Sequence, residues 1–207
     1  MAIKTITVYP GGYNLADSVY DNVADLDIPI GKPATNTQRS IVYLKKGGLV
    51  ETYFYYTFDL SEIPQGAIIH SVSCQAKANC SHNTTYISTA SIQMCCGTVK
   101  KGTPVTITKD DTSVKTIECG TWNRDELNDC RLMLYGKRTN TGKSIDEQLR
   151  LYGATLTIEY ETSQIVGSIT IDGANKEITE GYVNIGGVWK PVAELYVNIG
   201  GVWKPSH

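Results

Sequence analysis

Three histidines, six cysteines and a few adjacent acidic pairs are the residues of this chain that could do chemistry. His70, His82 and His207 each lack a sequence-near serine, cysteine or carboxylate in triad arrangement, so no activated nucleophile is assembled. Asp110-Asp111 and Asp125-Glu126 have the residue types of a glycosidase acid/base pair. Lys109-Asp110-Asp111-Thr112 reads better as a hairpin turn, and Asp125-Glu126 suits the first turn of a short helix. Zinc would want Cys-x-x-Cys or Cys/His knuckles, whereas Cys74, Cys80, Cys95, Cys96, Cys119 and Cys130 offer only the adjacent pair Cys95-Cys96. Neighbours on a strand point to opposite faces, and Cys74 and Cys96 fall at alternating apolar positions where a thiol acts as a small hydrophobe. Reduced thiols are therefore expected ahead of one disulfide, with a metal site last. A phosphate-cradling glycine loop is missing from the sequence. No cofactor is expected; a structural Ca²⁺ held by loop aspartates and carbonyls is the one metal considered, without a nameable ligand set. The reading is a non-enzymatic protein that does not hydrolyse wall polysaccharide or peptidoglycan.

Binding is a different matter, because aromatic rings recognise ligands without catalysis. Tyr53 and Tyr55 alternate with Phe54 and Phe58, which aims them away from the core, and sugar C–H faces pack on such rings. They are the candidate glycan-binding residues; cross-strand pairing or a covering loop is the alternative use of the same rings. Trp122 reads as a core plug beside a helical turn.

Bulk properties narrow the partners. The chain has 207 residues and a formal net charge of −2, with lysine and arginine scattered. No basic stripe exists to neutralise phosphates, so nucleic acid is not expected as a partner. No apolar run approaches 18 residues, so membrane insertion is not expected. Met1 to Ile6 alternates like a strand and lacks a signal-peptide layout, which fits synthesis in a cytoplasm.

The elements that must position these residues follow period two. In Val50 to Leu60, the set Val50, Thr52, Phe54, Tyr56, Phe58 and Leu60 shares one face and Glu51, Tyr53, Tyr55, Thr57 and Asp59 the other. Ser61-Glu62-Ile63-Pro64-Gln65-Gly66 then turns the chain. The next strand carries Val72, Cys74, Ala76 and Ala78 inward; Ile69 breaks the parity, predicting a bulge between Ile69 and Val72. Further strands are predicted at 86–96, 105–108, 113–119, 131–135 and 154–160, and only Trp122 to Asn128 suits a helical turn, capped by Asn123. Many short strands argue for an all-β antiparallel sandwich with Phe54, Phe58, Val72, Leu156 and Ile158 inside.

Phe58-Asp59-Leu60-Ser61-Glu62-Ile63-Pro64-Gln65-Gly66-Ala67-Ile68-Ile69-His70-Ser71-Val72 resembles a segment of carbohydrate-binding-module-like jelly-roll domains. Trp122 with Glu126-Leu127-Asn128, followed by Leu151 to Tyr160, resembles the closing half of such domains in phage structural proteins. The resemblance covers most of residues 1–160 and implies a jelly roll; its glycan binding is implied by analogy alone.

Residues 161–207 read as a separate module, entered through the polar junction Glu161-Thr162-Ser163-Gln164. Ser168 to Ile171 is a predicted strand, with Asp172-Gly173-Ala174-Asn175 turning the chain into Ile178 to Ile185. Tyr182-Val183-Asn184-Ile185-Gly186-Gly187-Val188-Trp189-Lys190-Pro191 recurs in full at Tyr196 to Pro205. Each Gly-Gly fits a two-residue hairpin turn, pairing Ile185 with Val188, Asn184 with Trp189, Ile199 with Val202 and Asn198 with Trp203. If Val188 to Ile199 forms one strand, Trp189, Leu195 and Val197 share its apolar side and Trp203 joins the other, making a small meander kinked at Pro191. One layer needs a partner, so Trp189, Leu195, Val197 and Trp203 are the candidate docking residues.

Repeats of this form resemble the C-terminal hairpins of phage and prophage tail-associated proteins. That resemblance implies a virion component in the tail tip, baseplate or fibre, displaying an adhesion domain, docked on other virion proteins through the hairpins and forming a homo-oligomer. Possible partners include a host cell-surface glycan. A capsid decoration or head-fibre protein is the alternative, and a polysaccharide-acting enzyme or its accessory domain is the alternative of another class.

Overall fold

The computed structural model describes residues 3–20, 22–24, 33, 39–45, 48, 50–81, 87–138 and 146–162, and beyond them the backbone strands of the C-terminal region. The strands, in chain order, are β1 (Ile3–Val8), β2 (Pro10–Val19), β3 (Asn22–Ala24), β4 (Ser40–Leu44), β5 (Glu51–Phe58), β6 (Ile68–Cys80), β7 (Ile87–Cys96), β8 (Val99–Thr106), β9 (Lys115–Glu118), β10 (Cys130–Arg138) and β11 (Glu147–Glu161). Then come β12 (Gly167–Ile171), β13 (Ala174–Ile178), β14 (Tyr182–Ile185), β15 (Val188–Pro191), β16 (Tyr196–Ile199) and β17 (Val202–Pro205). One sheet runs β3-β4-β11-β6-β9, with β1 on the far half of the long β11; the other runs β2-β5-β10-β7-β8. The interleaved orders β4-β11-β6-β9 and β5-β10-β7-β8 are those of a jelly roll, in which both sheets share one core.

The core follows from the alternation. Phe54, Tyr56, Leu132, Leu134, Ile92 and Met94 face inward from one sheet, and Val42, Leu44, Cys74, Ala76, Leu156 and Ile158 face them from the other. Phe54, Leu156 and Ile158 are fully buried; Phe58 and Val72 lie at the margin, partly buried against the same core. Small residues on β6 opposite large ones on β5 and β10 let the two layers interlock. The bulge falls where parity required it: Ile69 pairs with Tyr160 and Ser71 with Glu159, leaving His70 as the extra residue.

The predicted helical turn is a single 3-10 turn over Glu126–Asp129. It is shorter and later than read, but Asn123 still organises it. The Glu126 N–H donates to Asn123 Oδ1 at 2.9 Å and the Asn123 N–H to Glu126 Oε2 at 2.9 Å, a reciprocal cap. Trp122 is buried, its indole N–H donating to the Cys119 carbonyl at 2.6 Å.

Several boundaries are corrected. Val50 is exposed and precedes β5 instead of opening its buried face. The strand read at 105–108 starts at Val99, directly after a tight turn, and 154–160 is the second half of the fifteen-residue β11. Lys109 to Thr112 is a crossing and not a hairpin turn, since β8 and β9 lie in different sheets. Asp110 takes φ 55° there, a left-handed conformation that aspartate tolerates. The Tyr86 end of the predicted β7 lies outside the described residues.

The C-terminal pairings agree with the turn reading: Ile185 with Val188, Asn184 with Trp189, Ile199 with Val202 and Asn198 with Trp203. The Gly-Gly dihedrals lie outside the described residues. Among the described residues β14-β15 and β16-β17 are two-stranded sheets, β15 ending at Pro191, which has no N–H for a ladder; residues 192–195, on which a continuous middle strand depends, lie outside the described residues. Of the segment Ile178 to Ile185, Ile178 ends β13 and Tyr182–Ile185 is β14, with 179–181 outside the described residues, and Ala174-Asn175, read as turn, opens β13. With β12 paired to β13 through Ile171 and Ala174, the tail holds a third hairpin. The pre-turn residues Ile171, Ile185 and Ile199 recur at a constant interval of 14 residues, so this hairpin is in phase with the two exact repeats.

Candidate functional site

The outer face of the β5-β10-β7 ladder gathers the candidate binding residues. Antiparallel register sets Tyr53 opposite Tyr135, Tyr55 opposite Met133 and Glu51 opposite Lys137, with Gln93 and Cys95 next to Met133 and Arg131 on the following strand. Cross-strand neighbours on one face touch, so these residues form a continuous strip.

The two tyrosines of the sequence reading part company here. Both point away from the main core, as alternation requires, but Tyr55 is buried. It forms a small second cluster with Cys95 and Met133. Arg131 lies over its ring, the guanidinium 5.7 Å from the centroid, and is held there by Asp17 and Asp129, each at 2.5 Å. β2 also closes over it: the Tyr55 N–H donates to Ser18 Oγ at 3.1 Å. The expectation of an exposed Tyr55 is therefore overturned, because cover arrives from β2 and from Arg131, remote in sequence. Burial raises the Tyr55 phenol above its usual range.

Tyr53 remains half-exposed and gains a partner the sequence did not suggest. Its ring lies 5.0 Å from that of Tyr135, tilted by 37°, making a two-ring ridge. The Tyr53 hydroxyl donates to Glu51 Oε2 at 2.8 Å, and this bond pushes the phenol up to about 12. Glu51 in turn pairs with Lys137 at 2.6 Å, and Lys100 stands 6.0 Å from the Tyr135 centroid. The ridge thus has apolar ring faces flanked by one carboxylate and two ammonium groups. Rings take sugar C–H patches, the carboxylate accepts from hydroxyls, and the ammonium groups donate to hydroxyl or carboxylate oxygens. Tyr135 was missed because the pairing of β10 with β5 is not a local property.

The acidic pairs hold structure together. Asp111 accepts from Ser113 and pairs with Lys115 at 2.6 Å, which lowers its carboxyl to about 2. Glu126 pairs with Lys101, whose ammonium also lies 5.1 Å over the Trp122 ring. His70 bonds Glu161 at 3.0 Å on the surface, while His82 and His207 lie outside the described residues. No disulfide joins any of the six cysteines, all of which lie among the described residues. Among the described residues no three histidine, cysteine or acidic side chains converge on a point where a metal could sit, and no helix is long and apolar enough to cross a membrane.

Of the candidate docking residues, the backbone register places Trp189 opposite Asn184, Val197 opposite Lys204 and Trp203 opposite Asn198. Leu195 lies outside the described residues. No family model, curated protein or solved structure matches the chain.

Proposed function

We propose that this chain is a bacteriophage virion structural protein, a tail-tip, baseplate or fibre component. Its sandwich binds a host-surface glycan without cleaving it, and its hairpins attach it to other virion proteins. The observation that carries the recognition half is the Tyr53–Tyr135 ridge bounded by Glu51, Lys100 and Lys137. Tyr55 and Arg131 serve as its floor, fixing the strand beneath the rings. The attachment half is supported by the three in-phase hairpins, since isolated two-stranded sheets are marginal in water and gain by docking. The capsid decoration or head-fibre reading shares both features and differs only in location.

Binding of the full chain to purified host-surface oligosaccharides, followed by calorimetry, tests the recognition half. Tyr53→Ala and Tyr135→Ala are each expected to weaken binding about tenfold, the worth of one stacked ring. Val99→Ala, at an exposed site on β8, is expected to leave it unchanged. Equal affinity in all three variants would refute the ridge as the site. Immunogold labelling of particles is expected to mark the tail tip; label over the head would favour the decoration protein.

A further inference from the structure

We infer that Cys96 and Cys130 form a thiol–disulfide pair, a modification site tying the β7–β8 turn to the start of β10. The two residues are direct partners in the antiparallel register. The Gly97 N–H donates to the Asp129 carbonyl at 2.8 Å, so the next pair along is hydrogen-bonded and Cys96/Cys130 occupies the non-bonded position. At such positions opposed Cα atoms lie about 4.5 Å apart with their side chains at closest approach. A disulfide spans Cα separations of about 4.4–6.8 Å, so closure needs no shift of the strands. The side chains also share a face. Cys95 joins the outer cluster with Tyr55 and Met133, whereas Cys96 packs with Cys130 against the main core.

Access singles out the entry point. Cys96 is the half-exposed thiol; Cys74, Cys80, Cys95, Cys119 and Cys130 are buried. Burial pushes the Cys95 thiol up to about 11 and Cys119 up to about 12, and raises those of Cys74 and Cys130 as well. Buried, protonated thiols are poor nucleophiles, so an external oxidant meets Cys96 first. The chemistry balances with a small-molecule disulfide such as oxidised glutathione. The Cys96 thiolate attacks one glutathione sulfur, forming a mixed disulfide and releasing one glutathione thiolate. Cys130 gives up its proton to water and its sulfur displaces the second glutathione from Cys96. Two protein thiols are oxidised to one disulfide, and one oxidised glutathione is reduced to two thiols. In a reducing compartment the pair stays open; in an oxidising one it closes.

The experiment equilibrates the folded full chain in glutathione buffers of graded ratio, quenches with acid, alkylates and maps peptides without reduction. One disulfide, Cys96–Cys130, is expected under excess oxidised glutathione, with the other four cysteines alkylated only after unfolding. Cys96→Ser removes it and leaves the fold intact, because this side chain sits at the core margin. The oxidised wild type is expected to melt roughly 10 °C above the reduced protein, since the link closes a long loop. Six thiols after equilibration, a glutathione retained on Cys96 without ring closure, or Cys130 joined to Cys119 or Cys74 would each overturn the assignment.

Discussion

Gly102→Ala is expected to lower the unfolding free energy by about 4 kcal/mol, the sum of a left-handed backbone penalty and a forced backbone displacement. Gly102 has φ +63°, and a Cβ built on it would lie 1.8 Å from the Glu118 carbonyl oxygen, a main-chain atom that cannot rotate away. The position is fixed from both sides. Across the β7–β8 ladder, Ile92 pairs with Val105 and Met94 with Lys101, so β8 carries extra residues around Gly102 and Pro104. The Gln93 side-chain amide crosses that gap, donating to the Gly102 carbonyl at 2.8 Å. Gly11→Ala is the control: nothing lies within 4 Å of its would-be Cβ, and a change below about 1 kcal/mol is expected. Denaturant midpoints at unchanged slope would measure both, and equal losses would show that the β8 approach is not the constraint described.

Arg138→Met is expected to cost about 3–5 kcal/mol at neutral pH. The side chains of Arg138 and Glu147 are both fully buried, 3.9 Å apart, at the end of β10 and the start of β11. The arginine also donates to the Lys45 carbonyl, whereas among the described residues neither Glu147 carboxylate oxygen finds a hydrogen bond. Removing the guanidinium strands a carboxylate in the interior. Burial raises the Glu147 carboxyl above its ordinary value of 4.5, with the Arg138 charge opposing that rise. For a carboxyl raised on folding, the native state holds its proton more tightly than the unfolded chain. That stabilisation is complete below about 4.5 and is lost as pH climbs through the native value. Without Arg138 the native value climbs further, so the penalty should shrink steadily as pH is lowered toward 4.5. Adding Glu147→Leu should restore most of the loss at neutral pH. A penalty independent of pH, or a double variant no better than Arg138→Met, would mean that the cost is packing alone.

The sandwich was legible wherever burial is decided by neighbours two residues away. The Val50 to Leu60 alternation identified the faces of β5, and the broken parity at Ile69 located the bulge at His70. β2 was missed because Pro10 to Val19 is rich in glycine, asparagine and aspartate and shows no apolar period, and β3 and β4, of three and five residues, are too short to establish one. β8 was cut short because Lys100, Lys101, Gly102 and Pro104 hide its first half. The ridge was half legible. Tyr53 stands out by alternation, but Tyr135 joins it, and Tyr55 leaves it, through strand pairings that link distant segments. The Cys96–Cys130 apposition is of the same kind, a register fact that no local pattern encodes.

The constant interval of the tail hairpins makes valency a free variable. Each ladder closes within its own unit, so gaining or losing one unit leaves every other pairing untouched. Stability of such an array grows roughly by addition, while avidity for a partner that offers several sites grows by multiplication. Under the proposed attachment role, its strength is reset by the number of hairpins alone, with the sandwich and its ridge left as they are.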